Sequence, residues 1–248
     1  MTQPKVALIT GAGRGIGAAT AIELAKMNIR VAVNYLSNHD SAEKVIQTIR
    51  TNGGEAIKLQ ADVCNAEQVA QMTEDIVKQW GKIDILVSNA NIPFVIKPFL
   101  EISWTEFSQK LNGEIQAEYL LSQSVLPIMK ENHYGRIVYV ASGAAKTAVP
   151  NFITHGTAKA ALVQFARYIA VEFGKYDITA NIISPALTET DASRGQVEIL
   201  KEQYATSTPL NRIGQPDDIA KAISMFVSEQ SQFITGSYIP VDGGKSMV

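Results

Sequence analysis

The sequence predicts an α/β sandwich, a seven-stranded parallel sheet with helices packed on both faces. Three observations carry that prediction. Short apolar runs alternate with helical stretches along all 248 residues. A glycine-rich turn joins the first apolar run to the first helix, and 46% of the residues are hydrophobic, enough for a sizeable core. Strands that alternate with helices pair in parallel, and a parallel sheet needs cover on both faces.

The elements follow in order. Val6-Ala7-Leu8-Ile9 reads as the first strand, and Ala18 to Ala25 has the composition of a helix. Arg30 to Tyr35 is strand two. A helix runs from about Asp40 to Arg50, with Val45, Ile46 and Ile49 on one face. Asn52-Gly53-Gly54 stops it before strand three, Glu55 to Gln60. Asn65 caps a helix that reaches Trp80, whose buried stripe is Val69, Met72, Ile76 and Trp80. Strand four is Ile83 to Val87. A loop with Pro93 and Pro98 leads to two helical stretches ending near Glu131. Gly135 to Val140, Ile178 to Ile183 and Tyr238 to Val241 are strands five, six and seven. Between five and six lies a helix from His155 to Phe173, and Gln215-Pro216-Asp217 opens the last one. Thr188 to Ser207 has no sheet role. No linker, repeat or low-complexity run divides the chain, so residues 1–248 read as one domain.

Thr10-Gly11-Ala12-Gly13-Arg14-Gly15-Ile16-Gly17 lies between the first strand and the first helix. Glycines let a backbone turn sharply and approach a pyrophosphate, and the helix N-terminus offers free amides and the positive dipole end. A glycine turn alone also marks ordinary loops. The strand before it and the helix after it supply the context that a dinucleotide site requires.

Composition removes other classes. A formal net charge of −2 gives no electrostatic case for nucleic acid or an acidic membrane surface. Cys64, the one cysteine, cannot form an intramolecular disulfide and fits a reducing compartment. No apolar run is long enough to span a bilayer and the N-terminus has no signal-peptide pattern, so the expected location is cytoplasmic.

Several stretches together resemble the short-chain dehydrogenase/reductase family over nearly the whole chain. They are Thr10 to Gly17, Asp62-Val63 after strand three, Ser88-Asn89-Ala90-Asn91 after strand four, Asn112, Ser142 and Thr235-Gly236…Val241-Asp242-Gly243-Gly244. Within the family the chain is most similar to 3-oxoacyl-thioester reductases and glucose-dehydrogenase-like members. The resemblance implies a doubly wound Rossmann fold and a nicotinamide cofactor. It places that cofactor against Gly11, Arg14, Ile16, Gly17, Asn34, Tyr35, Ser37, Asp62, Val63, Asn89, Lys159, Pro185 and Thr190. It also implies catalytic roles. Ser142 would hydrogen-bond the substrate oxygen, Lys159 would hold the nicotinamide ribose, and Asn112 would hold a water in a proton relay.

The departures are as informative. The family's Tyr-x-x-x-Lys is here His155-Gly156-Thr157-Ala158-Lys159. Asn91 and Ala186 stand where the family has glycine. Residues four apart share a helix face, so Lys159 lies beside His155 and disfavours imidazolium. A neutral imidazole is a good base toward an alcohol and a poor acid toward a carbonyl. The substitution therefore implies alcohol oxidation, or reduction with an acidic optimum, or loss of catalysis.

The end of strand two decides the cofactor. An acid there would bind the ribose hydroxyls and repel a 2′-phosphate. The chain has Asn34, Tyr35, Leu36, Ser37 and Asn38, with no acid before Asp40, and Arg14 nearby to pair with a phosphate. NADP is expected over NAD. Ile92, Phe94, Ala144, Val149, Phe152 and Leu187 are candidate pocket walls, with Leu187 to Tyr204 as a lid. Such walls suit a small hydrophobic ketone or a carrier-bound acyl thioester. Lys130, Arg136 and Lys175 are candidate carrier contacts at the entrance. The faces of the Asn112–Glu131 and His155–Phe173 helices point to a homotetramer, with a dimer or hetero-oligomer as alternatives. A different class also fits: a non-catalytic nucleotide-binding subunit that partners an active homologue.

Overall fold

A computed structural model describes residues 3–247. Seven strands form one sheet: β1 (Val6–Ile9), β2 (Arg30–Tyr35), β3 (Ala56–Gln60), β4 (Ile85–Ser88), β5 (Gly135–Val140), β6 (Ile178–Pro185) and β7 (Tyr238–Val241). Their spatial order is β3-β2-β1-β4-β5-β6-β7, and every neighbouring pair is parallel. This is the doubly wound Rossmann sandwich expected from the alternating pattern. The chain reverses its winding between β1 and β4. The crevice beyond the C-terminal ends of those strands is where such sheets bind ligands.

The strands are apolar on both sides because helices cover both. On one face lie α1 (Gly15–Lys26), α2 (His39–Thr51) and α7 (Pro216–Phe226), over Ile9, Val31, Val33, Val87 and Ile183. On the other lie α3 (Ala66–Trp80), α4 (Trp104–Glu131) and α5 (Ile153–Phe173), over Leu8, Leu86, Ile137, Tyr139 and Ile182. Asn38 caps α2 by accepting from the Ser41 N–H, and Asn65 caps α3 by accepting from Gln68. Gly81, at φ +81°, ends α3 in the left-handed region that favours glycine.

Two stretches differ from the sequence reading. The two helical segments expected before Glu131 are one 28-residue helix, α4, preceded by a short 3₁₀ turn at Phe99–Glu101. Ser103 and Glu106 start α4 with reciprocal side-chain bonds to each other's backbone N–H. Gly113 does not break it, because a Cβ there would sit 3.0 Å from the Ile92 side chain and packing exploits the gap. The segment without a sheet role folds into α6 (Arg194–Thr206), over the crevice.

Gly17 is the tightest point between β1 and α1. A Cβ there would stand 2.5 Å from the Gly11 carbonyl oxygen and 2.7 Å from Asn89 Nδ2. Gly17→Ala is expected to cost about 1–3 kcal/mol of overpacking. Urea unfolding of wild type and variant, with dinucleotide titration alongside, should show both lower stability and weaker binding.

Candidate active site

The glycine turn is held open by its neighbours. Thr10 Oγ1 accepts from the Asn89 and Ala90 N–H groups at 2.9 and 3.0 Å. Asn89 Nδ2 donates to the Thr10 and Gly11 carbonyls. Asn34, 1% exposed, accepts from the Gly11 N–H and donates to the Leu59 and Ala61 carbonyls. Asn34 is thus an internal brace of the turn, a correction to its reading as a residue that faces the cofactor. Sequence could not show this, since the bond partners are 23 to 27 positions away.

Gly11 and Gly15 have φ of +60° and +56°. No side chain caps the N-terminus of α1, so its first amides are free toward the crevice. These features fit a dinucleotide: a cradle only glycine can line, at a helix N-terminus. Ile16 and Gly17 continue the turn into α1. Arg14 is exposed, and its side chain makes no hydrogen bond or ion pair among the described residues. Ser37 is exposed just past β2, while Tyr35 is buried with its ring edge-on to His39. Asp62 and Val63 follow β3, and the Asp62 carboxylate accepts from the Cys64 N–H. Pro185 ends β6, and Thr190, beyond it, approaches Gly15 and is bonded to Ser193.

The chemistry lies at the C-terminal end of β5 and the start of α5. Ser142 follows β5, and its Oγ accepts from the Ala144 N–H at 3.3 Å. Its turn packs on α5 so closely that a Cβ on Gly156 would meet the Ala144 carbonyl oxygen at 2.9 Å. His155, 9% exposed, stacks on Phe94 at 4.3 Å with Phe152 edge-on behind it, and its Nδ1 has no partner. Burial first, then the Lys159 and Lys110 cations, push its imidazole down to about 3. The sequence accounts only for Lys159. The packed aromatic walls move the imidazole much further, and the acidic optimum expected of an imidazolium donor falls outside the working range.

Lys159 donates to the Val140 carbonyl at 2.7 Å. Its Nζ also lies 2.6 Å from Glu114 Oε1. Glu114 Oε2 in turn accepts from Lys110 Nζ at 2.5 Å, and neither of those two side chains is exposed. Lys110 also donates to Asn91 Oδ1 and the Ile92 carbonyl at 3.1 and 2.8 Å. Burial alone would raise the Glu114 carboxyl, but the two cations outweigh that and hold it below the usual range. Lys110 is lowered to about 8, mainly by desolvation.

This arrangement corrects the assignment of Asn112. That residue is exposed on α4, and the one that meets Lys159 is Glu114. The sequence did carry a signal: Lys110, Glu114, Glu118 and Ser122 recur every fourth residue, and all are at most 2% exposed. Ionisable residues are almost never fully buried unless paired, so a stripe of them reads naturally as solvated. Asn91 is bound up in the same cluster.

Lys130, Arg136 and Lys175 are not at the entrance. They lie at the start of β5 and β6, the opposite edge of the sheet from Ser142, and Arg136 is fully buried. Lys130 and Lys175 sit over the Tyr176 ring instead. Among the pocket candidates, Phe94 and Phe152 do wall His155, while Val149 is 46% exposed. No group of ligands suited to a metal ion occurs among the described residues.

Comparison with known proteins matches residues 11–246 to the family model described as enoyl-(acyl carrier protein) reductase. The chain belongs to the short-chain dehydrogenase/reductase family. It is an oxidoreductase of that family, acting on CH–OH groups. It is 34% identical to versicolorin reductase of Emericella nidulans, over 97% of this chain and 95% of that one. It is 32% identical to a 3-oxoacyl-[acyl-carrier-protein] reductase of Staphylococcus aureus, over the full length of both. A solved structure of NAD+-bound xylitol dehydrogenase superposes with a TM-score of 0.92 at 29% identity, over 98% of this chain and 100% of that one.

Removing Glu114 would leave two buried ammonium groups uncompensated. Glu114→Ala is expected to destabilise the fold by about 3–5 kcal/mol. Denaturant unfolding checks this, and a loss below about 1 kcal/mol would mean that the lysines escape to solvent.

Proposed function

We propose that the chain interconverts a carbonyl and a hydroxyl with NADP, on a 3-oxoacyl thioester or similar hydrophobic ketone, through Ser142, His155 and Lys159. The observation that carries an intact but retuned site is the pairing of Lys159. Charges in an unused interior are costly and free to be lost, yet here two lysines share one carboxylate in ion pairs of 2.5 and 2.6 Å. When bound, the nicotinamide gives or takes the hydride. The chain's own residues do the rest. Ser142, whose Oγ already accepts one bond, keeps its hydroxyl proton free to donate to the substrate oxygen. His155 works as a neutral imidazole, giving or accepting a hydrogen bond at the same oxygen. Lys159, fixed by Val140 and Glu114, holds positive charge beside both.

The pocket walls Phe94 and Phe152 support a hydrophobic substrate. A carrier as the source of the acyl group has lost its support from basic residues, so the free thioester or ketone is the better fit. Residues 1–248 act as one domain. We place the protein in the cytoplasm on its single cysteine, and no described helix is long and apolar enough to cross a membrane. Exposed Tyr119 on α4, and Tyr168 and Val171 on α5, support a homotetramer built on those helices. A second reading, a nucleotide-binding subunit without turnover, draws on the same lowered imidazole, which cannot serve as a cationic acid.

Two measurements test this. Arg14→Ala should weaken NADPH by about 1.5–3 kcal/mol, the worth of a charge-assisted pair, and leave NADH nearly unchanged. Fluorescence titration with both cofactors reads the difference, and an equal loss for both would sink the NADP assignment.

His155→Ala should lose roughly 100-fold or more in turnover on a ketone and alcohol panel, with NADPH affinity retained. His155→Tyr should raise ketone reduction. Because the folded imidazole is pushed down to about 3, wild-type rates should show no His155 ionisation between about pH 5 and 8. Absence of turnover in both wild type and His155→Tyr would favour the subunit reading.

A further inference from the structure

The cluster around Lys159 contains a fourth ionisable group that the site described above does not use. Glu118 lies one helical turn beyond Glu114 on α4 and is 2% exposed. The two lysines are both committed to Glu114, so no cation is left for Glu118, and its Oε2 has no hydrogen-bond partner. The Ser88 side chain, at the end of β4, lies beside the carboxyl. Lys110 and Glu114 face it from α4, Lys159 from α5 and the buried Tyr139 from β5. Cys64, with Asp62 beside it, faces the cluster from the loop after β3. A buried carboxyl next to an ionised carboxylate, without a cation of its own, keeps its proton. Burial and the Glu114 charge together lift it to about 7, within reach of exchange at neutral pH.

Such a group answers a need of the proposed reaction, on which this inference rests. Reduction consumes one proton per turnover, and the neutral imidazole of His155 has none to spare. We propose that Glu118 is the proton reserve of the site, passing its proton to Lys159 across the Glu114 carboxylate during carbonyl reduction and taking it back during hydroxyl oxidation.

The step balances. In reduction the carbonyl carbon would take a hydride with its two electrons from the reduced nicotinamide, which is oxidised in turn, and the C–O π pair moves to oxygen. That oxygen forms its O–H bond with a proton from the Lys159 ammonium, relayed at the His155 side of the site. The Lys159 amine then takes the Glu118 proton, leaving a carboxylate, and Glu114 is unchanged. The buried cluster goes from one net positive charge to none, so the two carboxylates end up matched by the two lysines. A proton from water restores Glu118 between turnovers. Glu118 touches no substrate; it acts through Lys159, as a positioning residue for the proton.

The experiment combines infrared difference spectroscopy with pH–rate profiles on the full-length protein and Glu118→Gln. Expected in wild type is a protonated-carboxyl C=O band that disappears as the pH rises through about 7. That band should be missing from Glu118→Gln. The variant should also lose the matching inflection in kcat for ketone reduction, with kcat down roughly 10-fold or more and NADPH affinity changed by less than about 2-fold. A wild type without the band, a band that survives in the variant, or an unchanged pH profile would each overturn the proposal. Where Glu118→Gln does not fold, Glu118→Asp must show a shifted band, and an unshifted one overturns the proposal. Turnover without the band leaves the oxidoreductase reading standing and removes the reserve. A titrating band in a protein that turns over no ketone or alcohol removes the catalytic reading, and the relay with it.

Discussion

Two ammonium groups held by one carboxylate in a dry interior set the terms for this site. Lys110 and Lys159 come from different helices, and Glu114 reaches both at 2.5 and 2.6 Å. Each lysine is satisfied further by backbone carbonyls, Ile92 for one and Val140 for the other. Desolvating three charges is repaid only by bonds of this kind, so the cluster ties α4, α5, the end of β5 and the loop after β4 into a single geometry. Movement of any one of them would strand a charge. The position of Lys159 beside His155 is therefore fixed by contacts to both the sheet and α4.

The other half of the crevice is held by neutral bonds. Thr10 Oγ1, the Asn34 amide and Asn89 Nδ2 bond to backbone groups of the glycine turn and its neighbours, which keeps that turn open for a nucleotide. Both halves sit at the C-terminal edge of a parallel sheet, one at the β1 switch point and the other one strand past β4. The opposite edge is also charged. There Arg136 is buried between Asp177 and Glu229, with the Tyr134 ring 4.3 Å from its guanidinium. Its distance from Ser142 makes it a brace for the bottom of the sheet, and this is why basic residues near it have no part in substrate binding.

Electrostatics then separates what the residues could do from what they do. A histidine next to a lysine is pushed toward neutrality in any solvent, but stacking on Phe94 and the edge of Phe152 remove the water that would otherwise support a charge. The same dry surroundings act in the opposite sense on Glu118, which has no cation to itself. One environment thus produces a base that stays unprotonated and a carboxylic acid that exchanges its proton near neutral pH. Groups driven apart in this way are the arrangement that acid–base chemistry near neutral pH requires.

The alternation of apolar runs with helical stretches determined the sheet, its parallel sense and its seven strands, because burial on both faces leaves a pattern readable at each strand separately. The glycine turn, Ser142, His155 and Lys159 were equally legible, since their spacing is local. Arg14 and Ser37 are exposed just past β1 and β2, positions that follow from the same local spacing. Only the tertiary structure decided the partners. It put Glu114 where Asn112 was expected, turned Asn34 inward, merged two helical segments into α4 and sent Arg136 to the far edge. Each of those outcomes depends on groups tens of residues apart meeting in the interior. There a charge survives only if its counter-charge arrives from another element, and no window of sequence contains both.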